Sequence, residues 1–325
     1  MRLVATERCT DNPEILDLLP RLEADDAGVR RIALIELADL EDPDALPWLT
    51  DALLVDGADD VRAEAARLLE AWEEPEVVQA LCAALADGAE AVRLAAAQSL
   101  SELKSPEAGQ WILPWTTHAD AFVRASALRA LRELRLDDAA ELALRALEDQ
   151  DAAVRREAVA VLGWLKYAPA LPALAKLAEH EPDTEVRRAA IGALGLARDL
   201  AVLPALVGAL RDPAWQVREE AATTLGKVGH AQAGPALVAA LGDGFWQVRL
   251  RAARSLGRLR HAQALDALAD LLGHAIANLR KEAALALGEL GQASALQALQ
   301  AAEADSDPEV RKAVRIALAQ LRGAA

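Results

Sequence analysis

The chain has 325 residues, 53% of them hydrophobic and only 3% aromatic, and a formal net charge of −16. Ala and Leu dominate the apolar fraction and β-branched residues are sparse, which favours helices and argues against a buried sheet. Cys9 and Cys82 lack the spacing of a disulfide framework or a zinc site.

The opening MRLVATERCTDNPEI has no apolar run like that of a signal peptide, and no stretch approaches the length of a membrane span. A reduced, cytoplasmic protein without a membrane partner is expected. Charge is uneven along the chain: residues 1–150 hold 14 Lys and Arg against 32 Asp and Glu, whereas residues 151–325 hold 21 against 19. The acidic first half discourages nucleic acid, and no nucleic-acid partner is expected.

An internal repeat organises the whole sequence. In chain order, a Val-Arg pair stands at Val29-Arg30, Val61-Arg62, Val92-Arg93, Val123-Arg124 and Val154-Arg155. It continues at Val186-Arg187, Val217-Arg218, Val248-Arg249, Leu279-Arg280 and Val310-Arg311, a spacing of 31 or 32 that gives ten repeats. Their approximate bounds are 11–41, 42–73, 74–104, 105–135, 136–166, 167–198, 199–229, 230–260, 261–291 and 292–322.

Counting from the Val of each pair, position +8 is always Leu and position +4 is Ala except at Val314. Positions 0, +4 and +8 share one helical face, so this stripe is predicted to be buried. Asp26, Asp120, Asp151, Asp183 and Asp307 stand at −3, where a carboxylate can cap a helix start. An acid also stands at −5 in seven repeats, and the invariant Arg is expected to reach an acid or a loop carbonyl of an adjacent repeat.

The rest of each repeat reads as a second helix, as in LPALVGAL and GPALVAAL, with Pro47, Pro172, Pro204 and Pro235 near its start. Each repeat is therefore helix A, a turn, and helix B carrying the Val-Arg pair. Repeats 5 to 9 follow the Leu with Gly, whereas repeats 1 to 4 replace that Gly with Ala38, Glu70, Ser101 and Arg132. One pair cannot bury its own apolar face, but a stack of ten can. The predicted fold is an all-α, right-handed α-solenoid of ten helix pairs in one domain, with helix B lining the concave side.

The pattern D-x-x-x-x-V-R-x-x-A-A-x-x-L-G resembles HEAT-like repeats of the short type found in phycobilisome lyases and many bacterial scaffold proteins. The resemblance covers roughly residues 11–322. It implies an interaction scaffold, or alternatively a phycobilin lyase-like or cofactor-delivery protein that binds a planar acidic ligand in the C-terminal half of the groove.

Residues outside the repeat pattern are the candidates for function. Trp164 and Leu196 stand at +10, and Trp215 and Trp246 stand at −2. Arg251, Arg254 and Arg258 fall on one face of helix B in repeat 8, with Lys227 and Lys281 in the flanking repeats. Aromatic faces with guanidinium forks suit an acidic peptide or a planar acidic ligand. The competing reading has the tryptophans covering a neighbouring repeat and the arginines pairing with Glu219, Glu220 or Glu282.

Catalytic signatures are lacking. There is no Walker loop, dinucleotide-binding glycine motif, Gly-x-Ser-x-Gly or HExxH. Deoxyhypusine hydroxylase, an iron enzyme on HEAT-like repeats, uses several His-Glu pairs, but this chain has one, His180-Glu181. Cys82 is expected to be a buried thiol. No metal, cofactor or catalytic residue is expected, and the sequence reads as a non-catalytic scaffold that holds a partner protein in its groove.

Overall fold

A computed structural model describes residues 9–197 and 199–323. The first eight residues, which carry the start of the MRLVATERCTDNPEI segment, lie outside the described residues. Among the described residues there are twenty α-helices and no strand, arranged as ten A–B pairs. None of these helices is long and apolar enough to cross a membrane. They form two compact bodies, which part between Leu165 and Lys166.

Repeats 7 to 9 show the unit most regularly. Their A helices are Leu203–Ala209, Gly234–Ala240 and Leu265–Leu271, each entered through a short 3-10 turn. Pro204 and Pro235 occupy the first turn, where the missing amide proton leaves no hydrogen bond unmade. The B helices are longer: Trp215–Val228, Trp246–Leu259 and Ala277–Leu290. Within each body, successive B helices pack directly on one another.

The predicted stripe is the core. Val217, Ala221, Leu225, Val248, Ala252, Leu256, Leu279, Ala283 and Leu287 are all 0% exposed. Truncating one such Leu to Ala costs about 2–5 kcal/mol. At the first repeat the stripe opens and Val29 is 37% exposed, because among the described residues no earlier B helix covers it. The predicted caps form too: Asp26, Asp120, Asp183 and Asp307 each accept the amide of the residue two positions on.

The Gly after the stripe Leu has a packing role. A Cβ on Gly257 would lie 2.8 Å from Ala286 Cα, and one on Gly288 would lie 2.8 Å from Ala317 Cα. Two B helices meet closely at that point, and the partner residue is small. In repeat 8 it is Ser255, whose hydroxyl donates to the Ala222 carbonyl at 2.7 Å.

In most repeats the Arg of the pair ties one repeat to the next. Arg218 donates from Nε and Nη2 to Asp243 of the next repeat at 2.7 and 3.0 Å, and from Nη1 to the Asp212 carbonyl at 2.8 Å. Asp243 also accepts the Phe245 amide at 2.8 Å, so one carboxylate closes a turn and grips a guanidinium. The same rung joins Arg30 to Asp56, Arg62 to Asp87, Arg124 to Asp149, Arg187 to Asp212 and Arg280 to Asp305. The guanidinium hydrogen bonds hold Asp56, Asp87, Asp243 and Asp305 below the usual carboxylate range. At Asp149 burial pulls upward, but Arg124 and the backbone prevail and the net shift is down.

His118 and His274 occupy the acid position in repeats 4 and 9. Their Nδ1 atoms accept the amides of Asp120 and Ile276 at 3.1 and 3.0 Å, so they keep the turn but supply no charge for the rung. Arg249 has its Nη1 3.3 Å from His274 Nε2, and Arg93 lies over the Phe122 ring, 5.8 Å from its centroid.

Repeat 4 departs from the pattern in its A helix. The α-helix covers only Gly109–Ile112 and then tightens into a 3-10 helix, Leu113–Thr117, where Pro114 removes an amide donor.

Candidate functional site

The candidate residues of the second body sit on consecutive, packed B helices and form two rows. Trp215 and Trp246 are the first residues of their helices. Lys227 and Arg258 lie twelve positions further along the same two helices. At 1.5 Å per residue the rows stand about 18 Å apart.

In the aromatic row the two tryptophans differ. The Trp215 ring stacks on Phe245 of the next repeat, with centroids 5.7 Å apart and planes 14° from parallel. Arg218 closes over the other ring of that pair, its guanidinium carbon 5.5 Å from the Phe245 centroid. Trp215 is thus packed by its neighbour. Trp246 is 37% exposed and Phe245 is 45% exposed, so an aromatic edge remains open at the start of this helix. Phe245 was not singled out in the sequence. Its signal was an aromatic directly before Trp246, one repeat after the Trp it covers.

Between the rows the cations are engaged. Arg251 donates to Glu219 at 3.0 Å, and Arg254 donates through two nitrogens to Glu282 at 2.8 and 2.7 Å. Lys281 reaches Glu309 at 3.2 Å. Lys227 and Arg258 are exposed and make no ion pair within 4.0 Å among the described residues. Of the arginine trio, only Arg258 is left open.

Arg258 opens onto a cleft of about 450 Å³ that it shares with Arg260, Glu289 and Gln320 over a floor of Gly257 and Gly288. Burial and the neighbouring Glu282 carboxylate push the Glu289 carboxyl up, against the pull of Arg258, Arg254 and Arg260. Lys227, Arg258, Glu289 and Gln320 are all exposed and occupy the same +10 position on four successive B helices.

Leu196 occupies that position in repeat 6 and is 41% exposed. Trp164 holds it in the first body, where it is 42% exposed and the Arg135 guanidinium carbon lies 5.4 Å from its ring centroid. Position +10 is exposed in all ten repeats, so the fold makes no packing demand on it.

No group of three or more His, Cys, Asp or Glu side chains placed to hold a metal occurs among the described residues. Cys82 is buried, and burial pushes its thiol up to about 12. At that value it is a packing residue rather than a nucleophile.

A family model described as HEAT repeats matches residues 49–131, 109–195, 176–244 and 234–319. No curated protein matches the chain. Among solved structures, an engineered protein is similar over 96% of this chain and 99% of its own, at 22% identity and a TM-score of 0.54. YibA of Escherichia coli is similar over 82% of this chain and 98% of its own, at 21% identity and a TM-score of 0.61. Kap95p, solved with RanGDP, is similar over 97% of this chain and 51% of its own, at 16% identity and a TM-score of 0.69. The chain therefore spans about half the length of Kap95p. At these identities the likeness shows the fold alone. With matches running across residues 49–319, the chain belongs to the HEAT-repeat family, and its fold is an α-solenoid.

Proposed function

We propose that the chain is a non-catalytic scaffold that holds a protein partner against the B-helix face of its second body. The observation that carries this reading is the separation of the two open rows. Trp246 and Phe245 lie at one end of the face, Lys227 and Arg258 at the other, about 18 Å apart. An extended segment of about five or six residues spans that distance, and the cations favour acidic side chains at its far end. Ion pairs already engage the arginines in between, which favours an extended segment over a compact planar acid. The fold supports the reading further. Its recurring positions are consumed by packing, capping and the Arg–Asp rungs, and Kap95p, solved with RanGDP, is a solenoid of similar fold that holds a protein.

The test is affinity capture from the source cells with the wild-type chain and with a Trp246→Ala/Arg258→Glu variant as baits. A specific protein retained by the first and lost by the second is expected. Recovery of the same proteins by both baits would contradict the assignment, as would turnover of a metabolite by the pure chain with no specific capture.

A further inference from the structure

The irregular A helix of repeat 4 builds a cavity that the repeat pattern does not call for. At the two equivalent positions repeat 3 has Ala80 and Ala84 and repeat 7 has Ala205 and Ala209, all small and buried. Repeat 4 places Trp111 and Trp115 there, and both are only partly buried. They face the A helix of repeat 3, Pro75–Ala84, across a cavity of about 390 Å³. Gln79, Gln110, Pro114 and His118 complete its walls. That volume lies within the range of ligand sites, about 300–1,000 Å³.

The chemistry of the walls is selective. His118 stacks on Trp115, with centroids 5.7 Å apart. Its Nδ1 accepts the Asp120 amide, so in the neutral ring the hydrogen sits on Nε2, a donor. Gln79, Gln110 and the two indoles add further N–H donors beside flat apolar faces. Ring faces and N–H donors in the same walls suit a chain whose backbone carbonyls are exposed and whose side chains are apolar and rigid. A polyproline II segment has those features.

Charge selects further. One helical turn before Gln79 and Gln110, on the same helix faces, stand Glu76 and Glu107, both exposed. The hydrogen bond from Ser105 holds the Glu107 carboxyl below the usual range, so it stays charged. The first 150 residues, which include this cavity, are strongly acidic.

We infer that this cavity, on the A-helix layer of the first body, binds an extended, proline-containing segment that carries a basic side chain. The prolines pack on Trp111 and Trp115, the donors take backbone carbonyls, and the Lys or Arg reaches Glu76 and Glu107. This site is independent of the B-helix face, and its occupant has the opposite charge.

The experiment titrates the full-length chain with a fluorescently labelled proline-rich peptide ending in arginine, followed by anisotropy. Two matched peptides replace the arginine with glutamate or the prolines with alanine. Saturable binding of the first, weakened about tenfold or more by either peptide change, is expected. Trp115→Ala should weaken it similarly. Gln79→Arg, which leaves the tryptophans in place and puts a cation on the cavity wall, serves as the second variant should Trp115→Ala fail to fold. Equal binding of all three peptides would overturn the proposal, as would no saturation at millimolar peptide. Unchanged affinity in Gln79→Arg would overturn it as well.

Discussion

Arg254 grips both carboxylate oxygens of Glu282 on the next B helix, at 2.8 and 2.7 Å, and Glu282 is only 7% exposed. The same relation joins Arg129 to Glu157, at 3.1 Å, with Glu157 5% exposed. In both cases position +6 of one repeat meets position +3 of the next. Repetition of the contact in both bodies marks it as part of the fold. Arg254 therefore belongs to the scaffold, whereas Arg258, one turn further along, belongs to the open surface.

That distinction is measurable. Arg254→Ala leaves a buried carboxylate with nothing to accept from and should lower unfolding free energy by about 1–3 kcal/mol. Arg258→Ala should change it by no more than about 0.5 kcal/mol. Urea denaturation of the two variants checks the pair, and equal losses would contradict the assignment.

The Arg–Asp rungs predict a direction for pH. Asp56, Asp87, Asp243 and Asp305 have folded-state values below their unfolded ones. Each contribution is complete above the unfolded value, about 3.9, and is lost as pH falls from there through the folded value. Melting temperature should fall steeply below about pH 4, and Asp243→Asn should flatten that fall. Thermal scans across the acid range test it.

The interrupted rung at repeat 9 can be completed. His274→Asp would give Arg249 the carboxylate that Arg218 and Arg280 already have. It would also keep the acceptor for the Ile276 amide. A gain of about 1 kcal/mol is expected, and Arg249→Ala should abolish the gain. A double-mutant cycle by thermal denaturation measures the coupling.

Two glycines separate packing from propensity. A Cβ on Gly288 meets the Ala317 backbone, and Gly288→Ala should cost about 1–3 kcal/mol. Gly208, inside the Leu203–Ala209 helix, has nothing within 4 Å of its would-be Cβ. Gly208→Ala should stabilise by about 0.5–1 kcal/mol, because only the helix preference changes. Opposite signs in the two melting shifts are the expected result.

The fold was legible because ten copies of one pattern average out local noise. Val217, Ala221 and Leu225 could be assigned to a buried face from spacing alone. The acid five residues ahead of the Val could be assigned to a neighbouring Arg because it recurs. The site was less legible, since it consists of what does not recur. Sequence put Arg251, Arg254 and Arg258 on one face, but whether they pair internally depends on Glu219 and Glu282 of flanking helices. Those contacts follow from the packing of one helix on the next. Phe245 was hidden for the same reason, because it covers a Trp of the previous repeat. Trp111 and Trp115 went unread because they fall in the repeat where Pro114 breaks the pattern.

A protein partner on the B-helix face of the second body would leave a positional signature. Photo-crosslinking tests it most directly, with a benzophenone side chain placed in turn at Lys227, Arg258 and Ala239, the last exposed on the A helix of repeat 8. The same partner protein is expected to be trapped from the first two positions and not from the third. Crosslinks from Ala239 alone, with none from Lys227 or Arg258, would contradict it.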